Sequence, residues 1–260
     1  MPSRVVALWC WYHGGAFRGY QSQPDGPTVQ DTLLTALRRA GFERNPVPSG
    51  RTDAGVHARM QVLSMRLVEE GVSHAEVAAR INAELPATVG IACVRPAHAK
   101  FHAHWKSSGK EYRYRLGRRD DPWTWKVAAD AERVGALLSL AVGTRDFAAF
   151  HDASSPVKAR TIDAVDVVRE GDRVEVRMRG AGFGRYMVRL LVGAAVAVAR
   201  GEASEADYRA ALERAAPFPR FRAPANGLIL WEVFYPPADD PFSADDRRLA
   251  PGVPGEPPFA

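Results

Sequence analysis

Two periodicities alternate along this chain, and glycine or proline punctuates almost every change between them; that succession limits the fold more than any other feature. Val5 to Tyr12 is rich in β-branched and aromatic residues and stops at Gly14-Gly15, which predicts a strand. Thr28 then offers an N-cap, and Val29, Leu33, Ala36, Leu37 and Ala40 recur at helical spacing until Gly41. Gln61 to Leu67 returns to strand character, with Leu63, Met65 and Leu67 on one face. Ser73 and Glu76 form a capping box for a helix carrying Val77, Ile81 and Leu85, which Pro86 ends before a strand at Ile91 to Val94.

The second half follows the same style. Lys110 to Leu116 alternates, with Lys110, Tyr112, Tyr114 and Leu116 on one face and Glu111, Arg113 and Arg115 on the other. Asp130 caps a helix through Ala141, and Val165 to Arg169 with Arg173 to Arg179 make a hairpin about Glu170-Gly171-Asp172. A helix rich in small residues runs from about Arg185 to Arg200, a second follows Ser204 from Glu205 to Ala215, and Leu228 to Tyr235 is a final strand. Mixed strands and helices in two β-α-β style halves argue for α+β or α/β. The expected division is 1–100, 101–238 and a tail at 239–260, where seven prolines after residue 235 argue against a packed extension.

Composition narrows the partners. The formal charge is +5, but the tail from Asp239 holds five acids against Arg247 and Arg248, so the body before it carries +8. A basic body suits a phosphate-rich partner, since neutralising phosphates releases counterions. Cys10 and Cys93 lack the clustered spacing of a zinc site, and neither they nor His102 and His104 suggest a metal. There is no dinucleotide fingerprint and no phosphate-binding Walker loop. The first residues do not read as a signal peptide, and Leu190 to Ala199 is too short to span a bilayer. A soluble cytoplasmic protein with no metal, cofactor or membrane partner is expected.

The chemistry concentrates in Ser49-Gly50-Arg51-Thr52-Asp53-Ala54-Gly55, a polar loop just before a strand. Taken alone, Asp-Ala-Gly there is most often a turn in which the aspartate bonds its own backbone. The match is longer than that. Gly50 through Ala58 resembles the signature of the TruA family of tRNA pseudouridine synthases, whose conserved aspartate falls at Asp53. Tyr12 to Gln23 with Thr28-Val29-Gln30 is similar to the family's opening block, and Phe101-His102-Ala103 and Lys110 to Tyr114 to its central block. Asp146-Phe147 with Phe150, Arg160-Thr161, Gly182 to Arg189 and Ala223 to Leu228 follow in family order. Gly184 and Tyr186 depart from it, standing where the family more often has a bulky apolar residue and a histidine, and Arg118 to Lys126, with Trp123 and Trp125, matches no block.

The resemblance implies two ferredoxin-like halves with mostly antiparallel sheets flanking a basic active-site cleft, and a homodimer acting on the anticodon arm of tRNA at uridines 38 to 40. It implies Asp53 as nucleophile, Arg189 as its counter-ion, Tyr112 stacked on the uracil and serving in removal of the C5 proton, and Leu228 as an apolar wall. Arg51 would hold the flipped base, whose unstacking costs roughly a few kcal/mol. Arg18, Lys110 and Arg160, with Arg113 and Arg115, are candidates for the phosphate track, although the strand arginines equally suit a solvated face. His57 reads as structural. A carboxylate beside the ribose has two routes, attack on the sugar or removal of a sugar proton. Two rivals stand beside this reading: a noncatalytic RNA-binding module on the same scaffold, and a pseudouridine synthase with another RNA target.

Overall fold

The computed structural model describes residues 4–68, 71–118, 121–154, 159–252 and 259. The architecture is mixed α and β with mostly antiparallel strand pairing. Two compact units emerge, Met1–Ser108 with Leu230–Ala260, and Gly109–Ile229.

The first unit is built from β1 (Arg4–Tyr12), α1 (Val29–Arg39), β2 (Val47–Pro48), β3 (His57–Leu67), α2 (His74–Ala83) and β4 (Val89–Ala97). Its strands lie in the order β4-β1-β3, with β2 beside β3, every pair antiparallel. Thr28 caps α1 by accepting from the Asp31 N–H, and Ser73 caps α2 by accepting from that of Glu76. β1 is buried along nearly its whole length, which explains its unbroken apolar run: such a strand has no solvent face to spend polar residues on. Leu33, Leu37, Val77 and Ile81 bury the apolar stripes of the two helices.

The residues after 235 correct the expectation of an unpacked tail. Phe242 is buried with its ring edge-on to Trp9 at 6.1 Å, and Phe259 lies 6.3 Å from Trp11. Arg59 is held between the rings of Trp9 and Trp231, 4.9 Å from each, and donates to the carbonyls of Arg247 and Leu249 at 2.7 and 2.8 Å. Arg95 grips Asp246 with two donors, and Arg247 bridges Glu232 and Asp240. A four-residue helix runs Ala244–Arg247 behind a Ser243–Asp246 capping box. Prolines bar this segment from regular strand pairing, but Arg59 of β3 donates to two of its carbonyls and Arg95 of β4 to its Asp246 carboxylate. Of the tail's five acids, Glu256 lies outside the described residues.

The second unit contains β5 (Gly109–Gly117), β6 (Trp125–Lys126), α3 (Ala131–Ser139), β7 (Gly143–Arg145), β8 (Arg160–Glu170), β9 (Arg173–Gly180), α4 (Met187–Ala199) and α5 (Glu205–Arg214). The last strand, β10 (Leu228–Phe234), begins here and ends among the residues of the first unit, and the helix at Ala244–Arg247 is α6. Strands run β5-β9-β8-β7 with antiparallel pairing, and β6 pairs parallel to β5. α4 is buried from Met187 through Val198, and Gly193 brings it so close to the next segment that a Cβ there would sit 2.0 Å from the Phe221 carbonyl oxygen. The helix starts later than the expected Arg185, because Tyr186 takes a left-handed conformation at φ 63° and serves as its N-cap. In a non-glycine residue that geometry costs free energy and persists only when surroundings hold it.

If the tail is an integral part of the first unit, Phe242→Ala lowers stability by about 3 kcal/mol, the usual cost of emptying a buried phenylalanine site. Urea denaturation of the full chain measures this, and an unchanged midpoint would show the tail to be peripheral.

Candidate active site

Asp53 lies between β2 and β3, in a loop whose residues alternate in exposure: Arg51 is exposed, Thr52 buried and Asp53 half-buried. The entry to the loop is pinned from β3. Gln61 accepts from the Ser49 hydroxyl at 2.7 Å through Oε1 and donates to the Gly50 carbonyl at 2.8 Å through Nε2, while His104 Nδ1 donates to the Ser49 carbonyl at 2.8 Å. The exit is closed by a turn in which the Val56 N–H donates to the Asp53 carbonyl at 3.1 Å.

The segment from Tyr12 to Tyr20 packs against this loop. The Tyr12 hydroxyl and Thr52 Oγ1 are 2.8 Å apart and buried, the Tyr20 N–H donates to the Thr52 carbonyl, and the Gly55 N–H to the Phe17 carbonyl. Gly14 and Gly19 permit the approach. A Cβ on Gly14 would lie 2.0 Å from the Val56 carbonyl oxygen, and one on Gly19 2.9 Å from that of Thr52. Gly19 also has φ 97°, where any other residue is strained. His57, wholly buried, accepts the Gly14 N–H through Nδ1 at 3.0 Å. Behind it, His13 meets the Phe259 ring at 5.5 Å. Thr52, Gly14 and Gly19 fall within the motif blocks without a role assigned to them there, and Gln61 lies outside every block; the close approach falls on glycines of the neighbouring segment.

The other expected residues belong to the second unit. Tyr112 is half-buried on β5, opposite Met178 of β9, and its ring meets Phe183 edge-on at 5.3 Å. That contact fixes the ring plane from the Gly182–Arg189 block. Arg189, in the first turn of α4, is buried; its Nε donates to the Ala223 carbonyl at 2.8 Å and its guanidinium lies 5.5 Å from the Tyr186 ring. Burial raises the Tyr114 hydroxyl well above the ordinary tyrosine value, and the nearby charge of Arg189 only partly offsets this. Leu228 is buried at the start of β10.

The basic residues divide. Arg18 and Arg51 are exposed, and Arg160 opens β8 opposite Arg145 of β7. Lys110, half-buried on β5, has its ammonium pushed down to about 8 by desolvation. Arg115 is corrected: it is 2% exposed and its Nε donates to Glu175 at 3.2 Å, so it is neither phosphate track nor solvated face. Arg113 and Arg177 reach the same carboxylate at 3.1 and 2.9 Å. Burial alone would raise Glu175, but these three arginines together hold it below its ordinary value. Antiparallel pairing sets Arg115 opposite Glu175, and Arg113 opposite Arg177.

Comparison with known proteins now bears on this arrangement. Residues 138–236 match the family model for tRNA pseudouridine synthase. The chain is 36% identical over 243 residues to tRNA pseudouridine synthase A of Geobacillus kaustophilus, covering 86% of this chain and 92% of that one. The chain belongs to the tRNA pseudouridine synthase A family. The enzyme of that name from Exiguobacterium sp. is 34% identical over 250 residues, with 91% of this chain and 100% of that one covered. Among solved structures, the archaeal box H/ACA sRNP Nop10–Cbf5 complex is similar at TM-score 0.36 and 13% identity, over 72% of this chain and 44% of that one. Among the described residues, no group of three His, Cys, Asp or Glu is placed to hold a metal, and no helix is long and apolar enough to cross a membrane.

Two outcomes test this geometry. Tyr12→Phe removes one side of a buried hydrogen bond, costing about 1–2 kcal/mol of stability, and turnover falls because the Asp53 loop loses its brace; both are read on one preparation. Lys110 binds fewer protons folded than unfolded between about pH 8 and the ordinary lysine value of 10.5. Its contribution to stability therefore grows as pH rises through that window, so the wild type should gain on Lys110→Met from pH 8 to 10 in urea titrations. A constant difference would refute the depressed ammonium.

Proposed function

We propose that this chain isomerises uridine to pseudouridine in tRNA, in the anticodon stem-loop at positions 38 to 40. The observation that carries this reading is the Gly50–Ala58 motif, complete and braced on both sides, in a chain belonging to the tRNA pseudouridine synthase A family. The order β1-α1-β2-β3-α2-β4 with strands β4-β1-β3-β2 supports a ferredoxin-like reading of the first half.

In the reaction, the N1–C1′ bond breaks, the base turns, and a C5–C1′ bond forms; C5 loses a proton and N1 gains one. No electrons enter or leave, so the chemistry calls for no cofactor. Asp53 acts as nucleophile toward the sugar. Its loop is anchored through its backbone, which leaves the carboxylate little reorganisation to undergo when the substrate arrives. Arg189 serves as counter-ion, keeping the acid ionised beneath the base. Tyr112, its ring steadied by Phe183, stacks on the uracil and assists loss of the C5 proton, and Leu228 walls the pocket.

The exposed Arg51 holds the flipped state, since it precedes Asp53 by two residues on a braced loop. Arg18, Lys110 and Arg160 bind phosphates, and the protein works as a homodimer in the cytoplasm, one tRNA touching both subunits.

Purified protein incubated with unmodified tRNA transcripts, followed by pseudouridine mapping, tests the reading. Product confined to the anticodon arm is the expected result; product elsewhere would overturn the address, and none would overturn the activity. Asp53→Asn is nearly isosteric, so it abolishes turnover and leaves tRNA binding largely intact. Residual activity in that variant would remove Asp53 from the nucleophile's role.

A further inference from the structure

His102 and His104 stand two residues apart in the first unit, and each is committed to a different neighbour. His104 Nδ1 donates to the Ser49 carbonyl at 2.8 Å, at the entry to the Asp53 loop. His102 lies against Trp105, the two rings parallel to within 9° and their centroids 4.0 Å apart. The Trp105 backbone N–H donates to His102 Nδ1 at 3.3 Å, which sets the imidazole plane from the main chain. Trp105 itself is 79% exposed, more than any other large apolar side chain among the described residues.

An exposed apolar residue by itself signifies little. This one is held in place. Phe101 is buried with its ring 5.2 Å from that of Tyr235, and the Tyr235 hydroxyl donates to the Ala103 carbonyl at 2.8 Å. The Ala103 N–H donates to the Ser64 hydroxyl of β3 at 3.1 Å, and the Lys106 N–H closes the turn on the His102 carbonyl at 3.0 Å. With one face on His102, the indole turns the other to solvent. The anchored backbone and the imidazole fix that ring in advance, so a partner stacking on it is spared the entropy of ordering it.

Size, charge and place identify the occupant. The neighbours of Trp105 in the chain are polar: His104 and Ser108 are exposed, and Lys106 is paired with Asp239 at 3.2 Å. Val47 and Leu249 are the only other exposed large apolar side chains among the described residues. So little apolar surface falls far short of the roughly 800 Å² per partner that a stable protein pair buries. It does match the face of a nucleobase, which stacks on an aromatic ring whatever its identity. A base offers a free face only where it is unstacked, as in a loop or beside a flipped nucleotide. Four residues separate Ser49 from Asp53, at most about 14 Å of extended chain. We propose that Trp105, set flat by His102, is a stacking platform for an unpaired base of the tRNA, a few nucleotides from the target uridine. The platform rests on the reading of tRNA as substrate. It adds affinity without a phosphate contact, and therefore without salt dependence.

Equilibrium binding of the full-length protein to an unmodified tRNA transcript, across a series of salt concentrations, tests this. Trp105→Leu, apolar but without a flat face, weakens binding by about tenfold and leaves the salt slope unchanged. Trp105→Phe keeps most of the affinity, and His102→Ala, which frees the indole, weakens binding by about threefold. Sedimentation of the protein without RNA gives the same mass for wild type and Trp105→Leu. A lighter variant would assign the indole to a second copy of the chain and overturn the platform, as would unchanged affinity in Trp105→Leu or a shallower salt slope. Pseudouridine formation by the wild type is followed on the same transcript. Its absence, with Trp105 still needed for binding, counts against the enzymatic reading. Product with unaltered binding in Trp105→Leu counts against the platform alone, and a transcript that the wild type fails to bind overturns both.

Discussion

Backbone lies directly on backbone where Gly14 and Gly19 meet the Asp53 loop, and the rest of the first unit is arranged around that contact. Neither position has room for a Cβ, so the carbonyls of Thr52 and Val56 approach the opposing chain at distances side chains would forbid. The buried Tyr12–Thr52 hydrogen bond ties the end of β1 to the loop, and Gln61 of β3 ties its other leg. β1 is itself enclosed, with the tail residues Phe242 and Phe259 against Trp9 and Trp11. The Asp53 carboxylate is thus carried on a loop whose freedom has been removed by its neighbours.

Positive charge is spent in this protein in two quite different ways. Arg59, Arg95 and Arg247 hold the acidic, proline-rich tail, and Arg113, Arg115 and Arg177 converge on one carboxylate, that of Glu175. These residues raise the formal charge without offering a cation to a partner, because each is already matched by an acid or a carbonyl. The inventory of arginines therefore overstates the charge available to RNA.

Much of the local structure could be read from residues 5 to 235 in order. Helical spacing from Val29 to Ala40 appears as α1 behind its Thr28 cap, and the turn at Gly171-Asp172 joins β8 to β9 as the hairpin pattern indicates. Short-range rules act within a turn of helix or one hairpin, so the sequence contains all they need. The two-residue strands β2 and β6 were not legible, since so short a run has no period.

What the sequence by itself determined is the kind of element at each place, the basic balance, and the motif around Asp53 that resembles the family's signature. What only the tertiary structure decided is which distant residues complete each environment: Gly14 for Val56, the tail for Trp9, and Glu175 for Arg115. Alternation placed Arg115 on a face but could not say that the face would be covered. The reason is physical: burial, pKa and hydrogen-bond satisfaction depend on groups brought near by long-range packing, and no periodicity along the chain records them.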